Sequence, residues 1–128
     1  MTGSMARAAT WPLMLFRGTA TLAALLVLSQ AVLAGGFLSG RYEALAMHGR
    51  NGGVVAIVML CQTIAAVLLW RFGSGPSWPV RTGLIQLVIA AALIPLGEER
   101  VLAVHVPLAV GLAIGTAMLM SWAWRWQR

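Results

Sequence analysis

The chain contains two histidines, His48 and His105. An imidazole that enters an apolar segment ligates a metal, carries a proton or hydrogen-bonds a backbone group. Each histidine stands near the start of a long apolar run and is followed four residues later by a small residue, Gly52 and Ala109 respectively. Gln30 and Gln86 lie inside the apolar runs that precede them, 56 residues apart where the histidines are 57 apart. Arg41, Arg50 and Arg100 border the same runs. Cys61 is alone, so neither a disulfide within the chain nor a CxxC metal site is available.

Iron in a porphyrin accepts two neutral imidazoles on opposite faces, and a b-type haem needs no thioether bond, so the lack of CxxCH is no obstacle. The flat edge of a macrocycle could lie against Gly52 and Ala109, and the three arginines could hold its propionates at the water boundary. Two other readings use the same residues. Both histidines could be interfacial polar groups at helix starts, His48 being flanked by Gly49 and Arg50. A copper or zinc site could add Met47 to the pair, although two histidines and one methionine make an incomplete shell. The glutamines Gln30, Gln62 and Gln86, with Ser29, are expected to hydrogen-bond between helices; a sharper role for Gln30 and Gln86 is contact with a porphyrin edge or a quinone carbonyl.

The elements that must carry these residues follow from composition. Of 128 residues, 60% are hydrophobic and only 9% charged, with a mean hydropathy of +0.86. A soluble domain of this length has about a quarter of its residues charged, so the surplus of apolar side chains requires lipid. All nine basic residues are arginine and the net charge is +6, an excess that speaks of membrane topology and not of nucleic acid.

Reading from one arginine to the next divides the single domain 1–128 into four spans, about 18–40, 48–70, 80–97 and 101–124. A spanning helix needs about 20 apolar residues. The third run is shortest, with Pro95 near its end, and has to recruit flanking residues such as Val80. The expected fold is therefore all-α, an integral membrane antiparallel four-helix bundle made of two tandem helical hairpins. The first span also looks like a signal peptide, since Arg7 and Arg17 precede an apolar core, but a second copy of the segment later in the chain opposes that reading.

Arg7, Arg17, Arg71, Arg81, Arg125 and Arg128 fall on one side of these spans; Arg41, Arg50 and Arg100 fall on the other with all three glutamates. The arginine-rich side is expected to be cytoplasmic, with both termini there and both histidines towards the extracytoplasmic face. All six tryptophans gather near the arginine-rich boundary, as amphipathic rings prefer.

The halves 18–71 and 80–125 read as an internal repeat. Leu28-Ser-Gln30 matches Leu84-Ile-Gln86, the histidines match, and both halves finish on Trp-Arg. In an antiparallel bundle the second and fourth helices are diagonal partners, with axes roughly 11 to 14 Å apart. That gap suits a flat ligand between two imidazoles.

The Gln-x3-small pattern of the odd spans (Gln30 to Ala34, Gln86 to Ala90) and the His-x3-small pattern of the even ones (His48 to Gly52, His105 to Ala109) resemble one four-helix half of haem A synthase. They also resemble a group of short bacterial membrane proteins related to four-helix membrane cytochromes b. The resemblance covers about residues 18–125 and implies one haem b held by His48 and His105. The synthase family also places a glutamate four residues before a ligand histidine; here those positions hold Ala44 and Val101, so its chemistry does not carry over.

The resulting expectation is a b-type cytochrome of the bacterial inner membrane, without catalytic residues of its own. It would move electrons between a quinol or partner redox subunit and an extracytoplasmic partner, in contact with lipid and either alone or as a homodimer. A cofactor-free accessory or assembly subunit of a larger membrane complex is the alternative. Transport is disfavoured because no glutamate lies within a span.

Overall fold

The computed structural model describes residues 10–127, in which every regular element is an α-helix: α1 at Trp11–Leu38, α2 at Glu43–Phe72, α3 at Trp78–Glu98 and α4 at Leu102–Arg125. Arg7 and Arg128 lie outside the described residues. All four helices are long and apolar enough to cross a membrane, and the chain is a multi-pass membrane protein whose outer surface meets lipid.

Several boundaries differ from those read off the arginines, for physical reasons. Helix α1 begins at Trp11, seven residues before Gly18, because Arg17 does not end it. The Arg17 guanidinium instead donates from Nε to the Ala123 carbonyl at 2.9 Å and from Nη2 to the Trp126 carbonyl at 3.0 Å, and it stacks over Trp124 at 5.2 Å. These are carbonyls at the end of α4, where intrahelical partners run out and a cation is favoured. Helix α2 likewise runs straight through Arg50, which is exposed. Helix α3 reaches 21 residues by starting at Trp78, with Pro79 in its first turn, where the missing N–H costs nothing. Pro95 and Pro107 sit inside α3 and α4.

The helices pack as a closed ring in chain order, each against its two neighbours, and α3 and α4 meet most sparsely. Helices α2 and α4 therefore face each other across one diagonal, and α1 and α3 across the other. Small residues allow the close approaches. At Gly83 of α3 a Cβ would stand 2.8 Å from Thr63 Oγ1 and 3.3 Å from Thr63 Cα on α2. The turn between α2 and α3 closes on Leu69, whose carbonyl accepts the N–H groups of both Gly73 and Gly75. Gly40, at φ 90°, makes the left-handed turn between α1 and α2 that a side chain would resist.

Along the bundle the interior is layered. At the tryptophan-rich end Leu13, Phe16, Ala65, Ala66, Leu69, Leu119 and Ala123 form one apolar cluster. Next comes a polar layer in which Gln62 Nε2 of α2 donates to Gln86 Oε1 of α3 at 2.9 Å, both side chains buried. Thr63 and Thr116 return their hydroxyls to their own helices. A second apolar cluster of Ala23, Val27, Val55, Met59, Ala90 and Leu112 follows. Beyond it, near the other end, are the histidines.

Two predictions follow from this packing. Gly83→Ala should destabilise the folded protein by about 1–3 kcal/mol, since the added methyl meets backbone on α2, whereas Gly18→Ala, with open space around it, should be neutral; thermal unfolding in detergent distinguishes them. Gln62→Leu or Gln86→Leu alone should cost about 1–3 kcal/mol by stranding its buried partner, and the double variant should recover most of that loss.

Candidate functional site

The ring carries His48 and His105 inward from opposite corners. Their ring centres lie 6.3 Å apart with 49° between planes, although the helices that bear them are diagonal and, among the described residues, bring no Cα atoms within 8 Å of each other. Both imidazoles are half-buried. His48 Nδ1 lies 3.1 Å from the Gln30 carbonyl on α1, and His105 Nδ1 lies 2.9 Å from the Leu93 carbonyl on α3. A carbonyl can only accept, so each Nδ1 is the donor, and in a neutral imidazole donating this way the lone pair is on Nε2. A backbone carbonyl behind one ring nitrogen is the usual arrangement when the other nitrogen binds a metal.

The spacing has a direct chemical reading. A ligating imidazole nitrogen stands about 2.0 Å from its metal, and the ring centre is roughly 1.2 Å behind that nitrogen, so two imidazoles on opposite sides of one metal have centres about 6 to 6.5 Å apart. The observed 6.3 Å falls in that window. Among the described residues no group of three or more His, Cys, Asp or Glu side chains converges, so the pair offers two protein ligands and no fuller shell. Met47, next to His48 in sequence, is exposed, and Cys61 is also exposed, far along α2.

The residues around the pair differ in what they do. Gly97 faces the His105 ring so closely that a Cβ there would stand 3.1 Å from Cε1 and 3.3 Å from Nδ1. Gly52, one turn after His48, faces the Gln30 amide, with Nε2 3.2 Å from the position of a Cβ. The place expected for a macrocycle edge beside Gly52 is therefore taken by Gln30 in this structure. Ala109, one turn after His105, is half-buried. Asn51, the only asparagine, donates from Nδ2 to the Leu26 carbonyl at 3.1 Å and to Ser29 Oγ at 2.9 Å. It thus clamps α2 to α1 just behind His48. Its placement in an apolar run was a signal; the role of Gly97 had none beyond the nearby Pro95.

Gln30 and Gln86 are not brought together. Gln86 belongs to the buried pair with Gln62, whereas Gln30 stands at the level of His48 with its Oε1 buried and without a partner. The two hairpins also hold their histidines differently, over 18 residues from Gln30 to His48 and 12 from Leu93 to His105. The reason is length: the first hairpin continues farther past its histidine before turning than the second.

The arginines do not converge either. The guanidinium of Arg41 folds over Gly36, filling the space where a Cβ would be. Arg50 lies two residues after His48, about 200° around the helix, and points away from the rings. Arg100 sits in the turn between α3 and α4 at φ 56°. Arg41 and Arg100 remain at the same end of the bundle as the imidazoles, and both are exposed.

Gly97→Ala should displace the His105 ring from the Leu93 carbonyl without unfolding the bundle, visible as loss of the fixed Nδ1–H tautomer in imidazole ¹⁵N spectra, while Gly35→Ala, facing open space, should leave the signal intact. No family model matches this chain, and neither a curated protein nor a solved structure does, so its chemistry rests on the imidazole pair and the groups behind it.

Proposed function

We propose that the chain is a b-type cytochrome of the bacterial inner membrane, in which His48 and His105 would hold one haem b near the extracytoplasmic rim, with both termini in the cytoplasm. The observation that carries this reading is the 6.3 Å separation of two rings whose Nδ1 atoms are both committed to backbone carbonyls. Bound there, the haem supplies a reversible one-electron iron couple. The sidedness rests on the arginines and tryptophans gathered at the far end of the bundle.

The chain's own residues then have definite tasks. The carbonyls of Gln30 and Leu93 accept from Nδ1–H, orient the rings and raise the basicity of Nε2. Gly97 leaves room for the His105 ring to keep that orientation. A haem held by two protein imidazoles would serve electron transfer between a quinol or partner subunit and an extracytoplasmic partner. Arg41 and Arg100 are placed to pair with propionates at the rim. The buried Oε1 of Gln30 has no partner among the described residues and would accept from a quinol hydroxyl; a half-turn of the amide would present a donor to a quinone carbonyl instead.

The test is a reduced-minus-oxidised absorption spectrum of protein purified from membranes in a haem-producing host. The expected result is a sharp b-type α band, lost in His48→Ala and in His105→Ala while both variants stay folded. Colourless wild-type protein that also fails to take up added haem overturns the proposal and leaves a cofactor-free accessory subunit of a larger membrane complex.

A further inference from the structure

We infer that the groove between α3 and α4 at the tryptophan-rich end holds one anionic phospholipid. The groove encloses about 640 Å³ and is lined by Trp78 and Thr82 on α3 and by Gly115, Met118, Trp122 and Arg125 on α4. It opens where α3 and α4 pack most sparsely, on the surface that faces lipid.

Its chemistry changes along its length as a phospholipid's does. The deep part, along Gly115, Met118 and Leu119, is apolar, and Gly115 contributes no side chain to block it. Higher up, Trp78 and Trp122 meet edge to face at 4.6 Å, a pair of amphipathic rings at the depth where acyl chain gives way to headgroup. At the mouth, Arg125 is drawn back along its helix, with Nη2 donating to Ser121 Oγ at 2.8 Å and Nε to the Ser121 carbonyl at 3.3 Å. That posture leaves further guanidinium N–H groups for an acceptor outside the helix. Arg81, three residues after Trp78 on α3, is a second exposed cation at this end of the bundle, outside the lining of the groove.

The charge selects the occupant. Glu43, Glu98 and Glu99 all stand at the opposite end of the bundle, so nothing acidic in the described chain competes for these two cations. A basic pocket between membrane helices fits a phosphate headgroup. A neutral quinone head would leave Arg125 without a counter-charge. The site is independent of the imidazole pair: Gly115 lies ten residues along α4 from His105, about 15 Å.

Native mass spectrometry of the full-length protein in detergent, with phosphatidylglycerol and phosphatidylcholine offered in equal amounts, tests the inference. The expected result is retention of one phosphatidylglycerol in preference to phosphatidylcholine, weakened about five-fold in Arg125→Gln and restored in Arg125→Lys. Thr82→Trp, which fills the groove without touching the charges, should also reduce retention. Equal retention of the two lipids, indifference to both the charge and the filling variants, or displacement of phosphatidylglycerol by a quinone with no effect of Arg125→Gln would each overturn it. The haem spectrum is a separate readout, so failure here leaves the cytochrome proposal standing.

Discussion

A polar side chain inside a bilayer has no water to turn to, and most that enter this bundle find a partner on a neighbouring helix, the buried Gln30 Oε1, Gln62 Oε1 and Gln86 Nε2 being left without one among the described residues. This constraint organises the whole molecule. Arg17 caps the end of α4, Asn51 ties α2 to α1, Gln62 meets Gln86, and each imidazole leans on a carbonyl of the neighbouring helix. Between these contacts the interior is alanine, valine, leucine and methionine, whose packing is non-specific by comparison. The polar contacts fix particular pairs of helices to one another, while small residues such as Gly83 let the backbones approach closely.

The imidazole pair is the point at which that rule is used most economically. Each ring places its Nδ1 on a carbonyl of the neighbouring helix, and the ring of helices brings the two imidazoles within 6.3 Å of each other across the α2–α4 diagonal. Adjacent helices would have been too close for a ligand between them. The diagonal supplies the gap, and the reach of two histidine side chains reduces it to 6.3 Å between ring centres. Gly97 belongs to the same economy, since a methyl group there would push one ring out of line.

The two hairpins are alike in pattern but not in contact. Gln30 stands beside His48, while Gln86 is spent on Gln62 in a separate layer closer to the tryptophan-rich end. The carbonyl behind His105 is that of Leu93, twelve residues upstream, whereas the one behind His48 is eighteen upstream. Hairpins of unequal length bring their histidines to one level only by drawing on different residues for support.

Much of this was legible in the chain itself. Four long apolar runs demand four helices, because only a helix satisfies its own backbone in lipid, and the spacing of His48 and His105 in alternate runs places both near the same end of an antiparallel bundle. The arginines marked the helix ends less well, since a guanidinium on a long stem can reach backbone carbonyls and let the helix continue, as Arg17 does. Which polar groups pair was decided by the tertiary structure alone. The separation of the rings, the choice of Gln30 and Leu93 as their supports, the meeting of Gln62 with Gln86 and the room left by Gly97 all depend on how far each helix slides and rotates against its neighbours, and no local pattern of residues encodes that displacement.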